Sequence, residues 1–213
     1  MEERTVLVTR RGENYGGRSR LERATDRRER ILTAALHLFG TRDYDDVTVA
    51  DVCADARVSK RYFYEHFADR PDLVRALHRE QNMWLLTGVA AAAPKSPETL
   101  DEMLRPAVHM LLAMLRANPE RARVIYINAP RMETRRRGVL REDAQFLAGL
   151  MRRVSNHPIA PLRQERMLLA LVAGLSEVII DWLSRDMTED PAVLADHLTD
   201  YCLAILNSLI ALS

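Results

Sequence analysis

From Thr25 onward the apolar residues recur at intervals of three and four, and period-two alternation is nearly absent. That pattern restricts the chain to helices packed on helices. Ile31, Ala35, Leu38 and Phe39 form one such stripe, with Asp26 and Glu29 spaced as a capping box and Gly40 placed to stop the helix. Prolines punctuate the rest: Pro94-Lys-Ser-Pro97 reads as a loop, and Asn118-Pro119, Ala129-Pro130, His157-Pro158-Ile-Ala-Pro161 and Asp190-Pro191 mark further boundaries. A long helix is expected from Asp69 to Ala93. The expected fold is all-α with about nine helices, and 213 residues can bury its core without covalent staples.

Charge narrows the function. Lys+Arg 31 against Asp+Glu 30 leaves a formal charge of +1, so a polybasic coat that would bind any polyanion is excluded. Lys60 and Lys95 are the only lysines, a skew toward arginine that reflects codon bias. With 8 Gly, 9 Pro, 29% charged and 47% hydrophobic residues, collagen-like, low-complexity and wholly disordered chains are excluded too. Cys53 and Cys202 lie far apart within apolar helical patterns and read as buried thiols of a cytoplasmic protein. The longest uncharged stretch, Gln81 to Pro94, is too short to span a bilayer, so no membrane partner is expected.

Most information sits between Asp45 and Asp72. Thr48 and Asp51 are spaced as N-cap and N3 of a short helix with Val49, Val52 and Ala56 on its apolar face. A turn follows at Ala56-Arg57-Val58. Ser59 then caps a second helix whose inward residues are Phe63 and Phe67, leaving Lys60, Arg61, Tyr62, Tyr64 and His66 to point elsewhere. Two short helices so joined make a helix-turn-helix. On an arbitrary helix these tyrosines and cations would be packing residues and a solvated face. Next to two N-caps they match what base reading needs: side chains reaching base edges, with hydroxyls and backbone N–H groups holding phosphate.

The stretch resembles the DNA-binding domain of the TetR family of transcriptional repressors. The resemblance rests on Leu38-Phe39 ending the first helix, Tyr44, Thr48-Val-Ala-Asp-Val-Cys-Ala, and the run Val58-Ser59-Lys60-Arg61-Tyr62-Phe63-Tyr64-Glu65-His66-Phe67. It extends from Thr25 to Leu77. The resemblance implies that Thr48, Ser59, Lys60, Arg61, Tyr62, Tyr64, His66 and Arg70 face DNA, Arg70 standing where the family usually has a phosphate-binding Lys. It also implies a duplex operator as partner. One departure is Arg57, where the family commonly has Gly; a non-Gly residue held left-handed costs on the order of 1 kcal/mol.

Three segments follow from this reading: a mobile basic arm over 1–24, a three-helix DNA-binding domain over 25–70, and a larger helical domain for ligand binding and dimerisation over 71–213. Arg4, Arg10, Arg11, Arg18, Arg20 and Arg23 give the arm an auxiliary, nonspecific contact with DNA. Pro161 to Ser184 and Pro191 to Ser213 are apolar almost all round, so Leu171, Leu175, Val178, Trp182, Leu198, Tyr201 and Ile205 are expected in a four-helix homodimer interface. Between Pro97 and Asn156, Met103, His109, Met110, Met114, Tyr126, Asn128 and Phe146 are candidates to line a pocket for a small, largely apolar effector. Pro106 is expected to kink or divide its helix there. Neither a Glu-x-x-His nor a His-Glu-x-x-His pattern occurs, nor a phosphate loop or Gly-x-Ser-x-Gly elbow, which argues against an enzyme and against any metal or cofactor. A pure interaction module would explain the apolar C-terminal faces but not the two capped helices.

Overall fold

A computed structural model describes residues 20–128, 133–154 and 161–211. Among them there are nine α-helices and no strand: α1 Arg20–Thr41, α2 Val49–Asp55, α3 Lys60–Tyr64, α4 Arg70–Ala92, α5 Leu100–Ala117, α6 Pro119–Arg123, α7 Glu133–Met151, α8 Pro161–Ser184 and α9 Pro191–Ala211. A 3-10 turn spans Tyr44–Asp46, and a π turn over Val124–Asn128 continues α6.

The helix-turn-helix is built on its caps. Thr48 Oγ1 accepts the Asp51 N–H at 3.2 Å while Asp51 accepts the Thr48 N–H at 2.8 Å, completing the expected capping box. Those bonds from Thr48 hold the Asp51 carboxyl below its usual range. Ser59 Oγ accepts the Tyr62 N–H at 3.4 Å, and Asp69 caps α4 with Pro71 in its first turn. Ile31, Ala35 and Phe39 of α1 close over Val52, Phe63 and Phe67, all buried. Leu73, Val74 and Leu77 join the same core, so the first two turns of α4 pack with the helix-turn-helix.

Four expectations about helix ends change. α1 begins at Arg20, so Asp26 lies inside it and pairs with Arg30 at 4.0 Å instead of opening the helix. Residues 20–24, assigned to the arm, are therefore helical, whereas Arg4, Arg10, Arg11 and Arg18 lie outside the described residues. Gly40 does not stop α1, which runs on to Thr41. Its value is proximity: a Cβ there would stand 2.5 Å from Cβ of Glu120, so α1 and α6 approach backbone to backbone. Pro106 leaves α5 undivided from Leu100 to Ala117.

The larger body packs α5 against α4 and α9, and α7 against α8. α9 contributes Leu194, Leu198, Cys202, Leu206 and Leu209, a buried stripe at helical spacing. Both cysteines are free buried thiols, as expected, and burial pushes Cys202 up to about 12.

Candidate nucleic-acid interface and ligand cavity

α3 presents its cations and tyrosines to solvent. Lys60, Arg61, Tyr62 and Tyr64 are exposed, Tyr64 by 58%, while Phe63 and Phe67 turn inward. Arg61 makes an i,i+4 ion pair with Glu65 at 3.5 Å yet stays almost fully in water. From α1, the Arg27 guanidinium stacks over the Tyr62 ring at 4.4 Å and Arg28 lies 5.7 Å from the Phe67 ring. α1 therefore supplies two cations beside the recognition helix. The sequence reading missed them, although an Arg-Arg pair one α1 turn before Ile31 is visible in it.

The turn between α2 and α3 accepts its non-glycine residue. Arg57 has φ 53, the left-handed region that favours glycine. Its N–H donates to the Ala54 carbonyl at 3.1 Å and the Val58 N–H to the Cys53 carbonyl at 3.0 Å, which ends α2. Arg30 of α1 donates to the carbonyls of Ala56 and Arg57, the latter at 2.8 Å, so the strained turn is tied from outside. Two residues expected to face DNA also pack within the fold. Arg70 is half-buried; its Nη1 donates to the carbonyls of Val47 at 2.8 Å and Tyr44 at 3.2 Å, with its guanidinium 4.1 Å over the Tyr44 ring. Those bonds, made by Nη1 of a half-buried side chain, make it a brace between α4 and the loop before α2. His66 is also half-buried, against Phe67. Burial, then the nearby Arg27, hold its imidazole below the usual range.

A cavity of about 100 Å³ lies between α4, α5, α7, α8 and α9. Leu85, Val89, Leu111, Leu147 and Ile179 make most of its wall apolar, and Asn82, Tyr126, Asp143 and Ser176 bring polar atoms to it. Of the seven residues expected there, Tyr126 and Phe146 line it and five do not. Met103 faces a solid part of the core, and Met110 is exposed. Met114 fills the space over Gly88, where a Cβ would fall 2.4 Å from its sulfur. His109 turns to α9 and meets Asp196 at 3.0 Å. Leu175, expected at the dimer interface, lines the cavity instead.

Asn128, the fifth, is fully buried and works elsewhere. Its Nδ2 donates to the carbonyls of Phe39 and, at 3.1 Å, Arg42, and its Oδ1 accepts the Tyr44 N–H at 2.8 Å. A side chain from the larger body thus caps the C-terminus of α1. The π turn aims its residues in different directions: Val124 enters the helix-turn-helix core, Ile125 the core of the larger body, Tyr126 the cavity wall, and Asn128 the end of α1.

Of the expected interface residues, Leu171, Trp182 and Leu198 belong to the chain's own core, and Ile205 packs half-buried against it. Val178 and Tyr201 remain exposed, by 41% each. The Tyr201 hydroxyl lies over Gly174, where a Cβ would approach it to 2.7 Å. α8 over Leu162–Ser184 is long and apolar enough to cross a bilayer, and much of its most apolar part is not buried.

Residues 31–77 match the family model described as "Bacterial regulatory proteins, tetR family". No curated protein matches the sequence. Among solved structures, the fatty acid degradation regulator FadR from Bacillus halodurans is similar at TM-score 0.66 and 17% identity, over 82% of this chain and 93% of that one. FadR from Bacillus subtilis, in complex with stearoyl-CoA, is similar at TM-score 0.62 and 15% identity, over 81% and 95%. A tetR-family regulator from Streptomyces coelicolor gives TM-score 0.66 at 16% identity, over 89% and 84%. At these identities the likeness speaks for the fold, which is all-α with an N-terminal helix-turn-helix. The matched segment holds both capped helices and the core that Leu73 and Leu77 complete, so residues 31–77 are similar to the helix-turn-helix domain of bacterial regulatory proteins of the tetR family.

Proposed function

We propose that this chain is a transcriptional regulator, a cytoplasmic homodimer that represses transcription from a roughly palindromic operator and is released by a small, largely apolar effector. Lys60 and Tyr62, at the exposed N-terminal end of α3, read base edges in the major groove. Arg61, Tyr64 and the caps Thr48 and Ser59 hold phosphate. Arg27 joins the phosphate contacts, and Arg70 acts through the fold it braces. In this reading residues 25–70 bind DNA and residues 71–213 bind ligand and dimerise, with the first two turns of α4 packed into the DNA-binding core.

The uncovered apolar face of α8, including Val178, with Tyr201 of α9 beside it, supports dimerisation. The observation that carries the release mechanism is the π turn, because Tyr126 touches the cavity and Asn128, two residues on, holds the end of α1. An effector that prefers a displaced Tyr126 moves Asn128 with it. The recognition helices of a dimer must meet half-sites about one helical turn apart, so a small rotation of α1 weakens operator binding. α4, which runs from the helix-turn-helix core to the cavity wall, offers a second rigid link.

The test begins with selection of a duplex from a random library, followed by fluorescence anisotropy across a salt series. The selected site is expected to be palindromic, with a steep salt slope, and sedimentation should give a dimer at micromolar concentration. Lys60→Ala should shift base preference, and Tyr64→Phe should weaken all sites alike. A monomer with no selected sequence would refute the proposal.

A further inference from the structure

The cavity wall carries an acid that no cation among the described residues answers. Asp143 of α7 lines both the main cavity and a smaller cleft bounded by Ile125, Val139 and Ile180. Its carboxyl accepts one hydrogen bond, from Asn82 Nδ2 at 3.1 Å, and among the described residues no Arg, Lys or His pairs with it. The other acids facing this body are treated differently: Asp101 and Asp196 both meet Arg105, and Asp196 meets His109 as well. Ser176 is not a donor for Asp143, since its hydroxyl is spent on the Val172 carbonyl at 2.9 Å. A carboxylate has room for about four hydrogen bonds and tolerates an apolar setting poorly when it makes only one.

We infer that the effector is a small apolar molecule with a protonated nitrogen, received by Asp143 with its body in the Leu85, Val89, Leu147 and Ile179 part of the cavity. This rests on the ligand-cavity reading above and sharpens it. A charged donor at Asp143 replaces the missing partner, and burial strengthens that pairing. A carboxylate or phosphate head would meet like charge and is disfavoured at the same place. The carboxyl is already pushed up to about 6 by burial, then by Glu142, against the opposing bond from Asn82, so it sits near its titration point waiting for a cation. Size limits the body too: at about 100 Å³ the cavity is smaller than the ~150 Å³ apolar void that accepts benzene, so the body is at most one ring or a short chain.

Phenethylamine, 2-phenylethanol and phenylacetate share one body and differ in the charge of the head. Calorimetry of the full chain at about pH 7.5, above the pKa of about 6 of the Asp143 carboxyl, should rank them amine, alcohol, carboxylate, with the amine about 10- to 100-fold tighter than the alcohol. Asp143→Asn should bring the amine to the level of the alcohol while leaving the alcohol within about threefold of wild type. Equal wild-type affinities for amine and alcohol, or a gap that survives Asp143→Asn, would overturn the head-group assignment and leave the cavity standing. Binding of none of the three would overturn both. The wild-type ranking tests the assignment by itself should the variant fail to fold.

Discussion

Replacing Asn128 by Ala removes the joint between the larger body and α1 without touching either α3 or the cavity lining. The side chain satisfies three backbone groups: the carbonyls of Phe39 and Arg42 and the N–H of Tyr44. A buried group left without a partner costs about 1–3 kcal/mol. The Phe39 carbonyl is the buried one, and the other two lie where water can return, so about 1 kcal/mol each is the proper allowance. The sum is about 3–5 kcal/mol, a large share of the ~5–15 kcal/mol by which domains are stable. Urea denaturation at fixed protein concentration measures it, and a loss below about 1 kcal/mol would refute the reasoning. Asn128→Asp sharpens the test because only its protonated form can donate. Its folded pKa must lie above that of the unfolded chain, near ~4, so this variant should approach wild type at low pH and lose stability as pH rises through its folded pKa. If the joint transmits the effector's signal, Asn128→Ala should still bind phenethylamine but show less effect of it on operator affinity.

Arg57→Gly should stabilise the chain by about 0.5–1 kcal/mol in the same assay, since Arg30 binds carbonyls that any residue retains. Arg70→Ala should lower the unfolding midpoint and leave the salt slope of operator binding unchanged, whereas a phosphate contact would lower the slope by about one unit. Val178→Asp and Tyr201→Asp should yield folded monomers by sedimentation and circular dichroism; Leu171→Asp, fully buried in the chain's own core, should instead unfold it. For Asp143→Asn the sign follows from a folded pKa of about 6 above the usual 3.8: ionisation costs the native state as pH rises through that window, so the variant should be the more stable protein above pH 6, with the difference vanishing below pH 3.8.

What the sequence disclosed was local. Both caps of the helix-turn-helix, the inward Phe63 and Phe67, the start of α4 and the left-handed Arg57 each depend on neighbours within a few residues, and each is where its spacing puts it. Residues whose role depends on a second element escaped. Arg70 turns inward because the 3-10 turn at Tyr44–Asp46 leaves carbonyls within its reach, and Asn128 joins α1 across 89 positions of chain. The methionines misled for another reason: periodicity says that a helix has a buried stripe, but α5 faces several partners, and Met103 meets solid core while Met110 meets water. For α8 and α9 the all-round apolar character was correctly seen, yet it did not say which face the chain keeps for itself.

The π turn also sets how insertions and deletions can act on this regulator. Each α-helical residue advances by about 100°, and a π turn holds one residue more than the α register needs. Deleting any one residue of Val124–Asn128 would let α6 continue as an ordinary helix, with every bond within it satisfied and little cost to local folding. The same deletion would swing the position of Asn128 away from Phe39 and Arg42 and carry Tyr126 out of the cavity wall. A single codon lost here would therefore cut the joint between the larger body and α1, at a cost in stability comparable to that of Asn128→Ala.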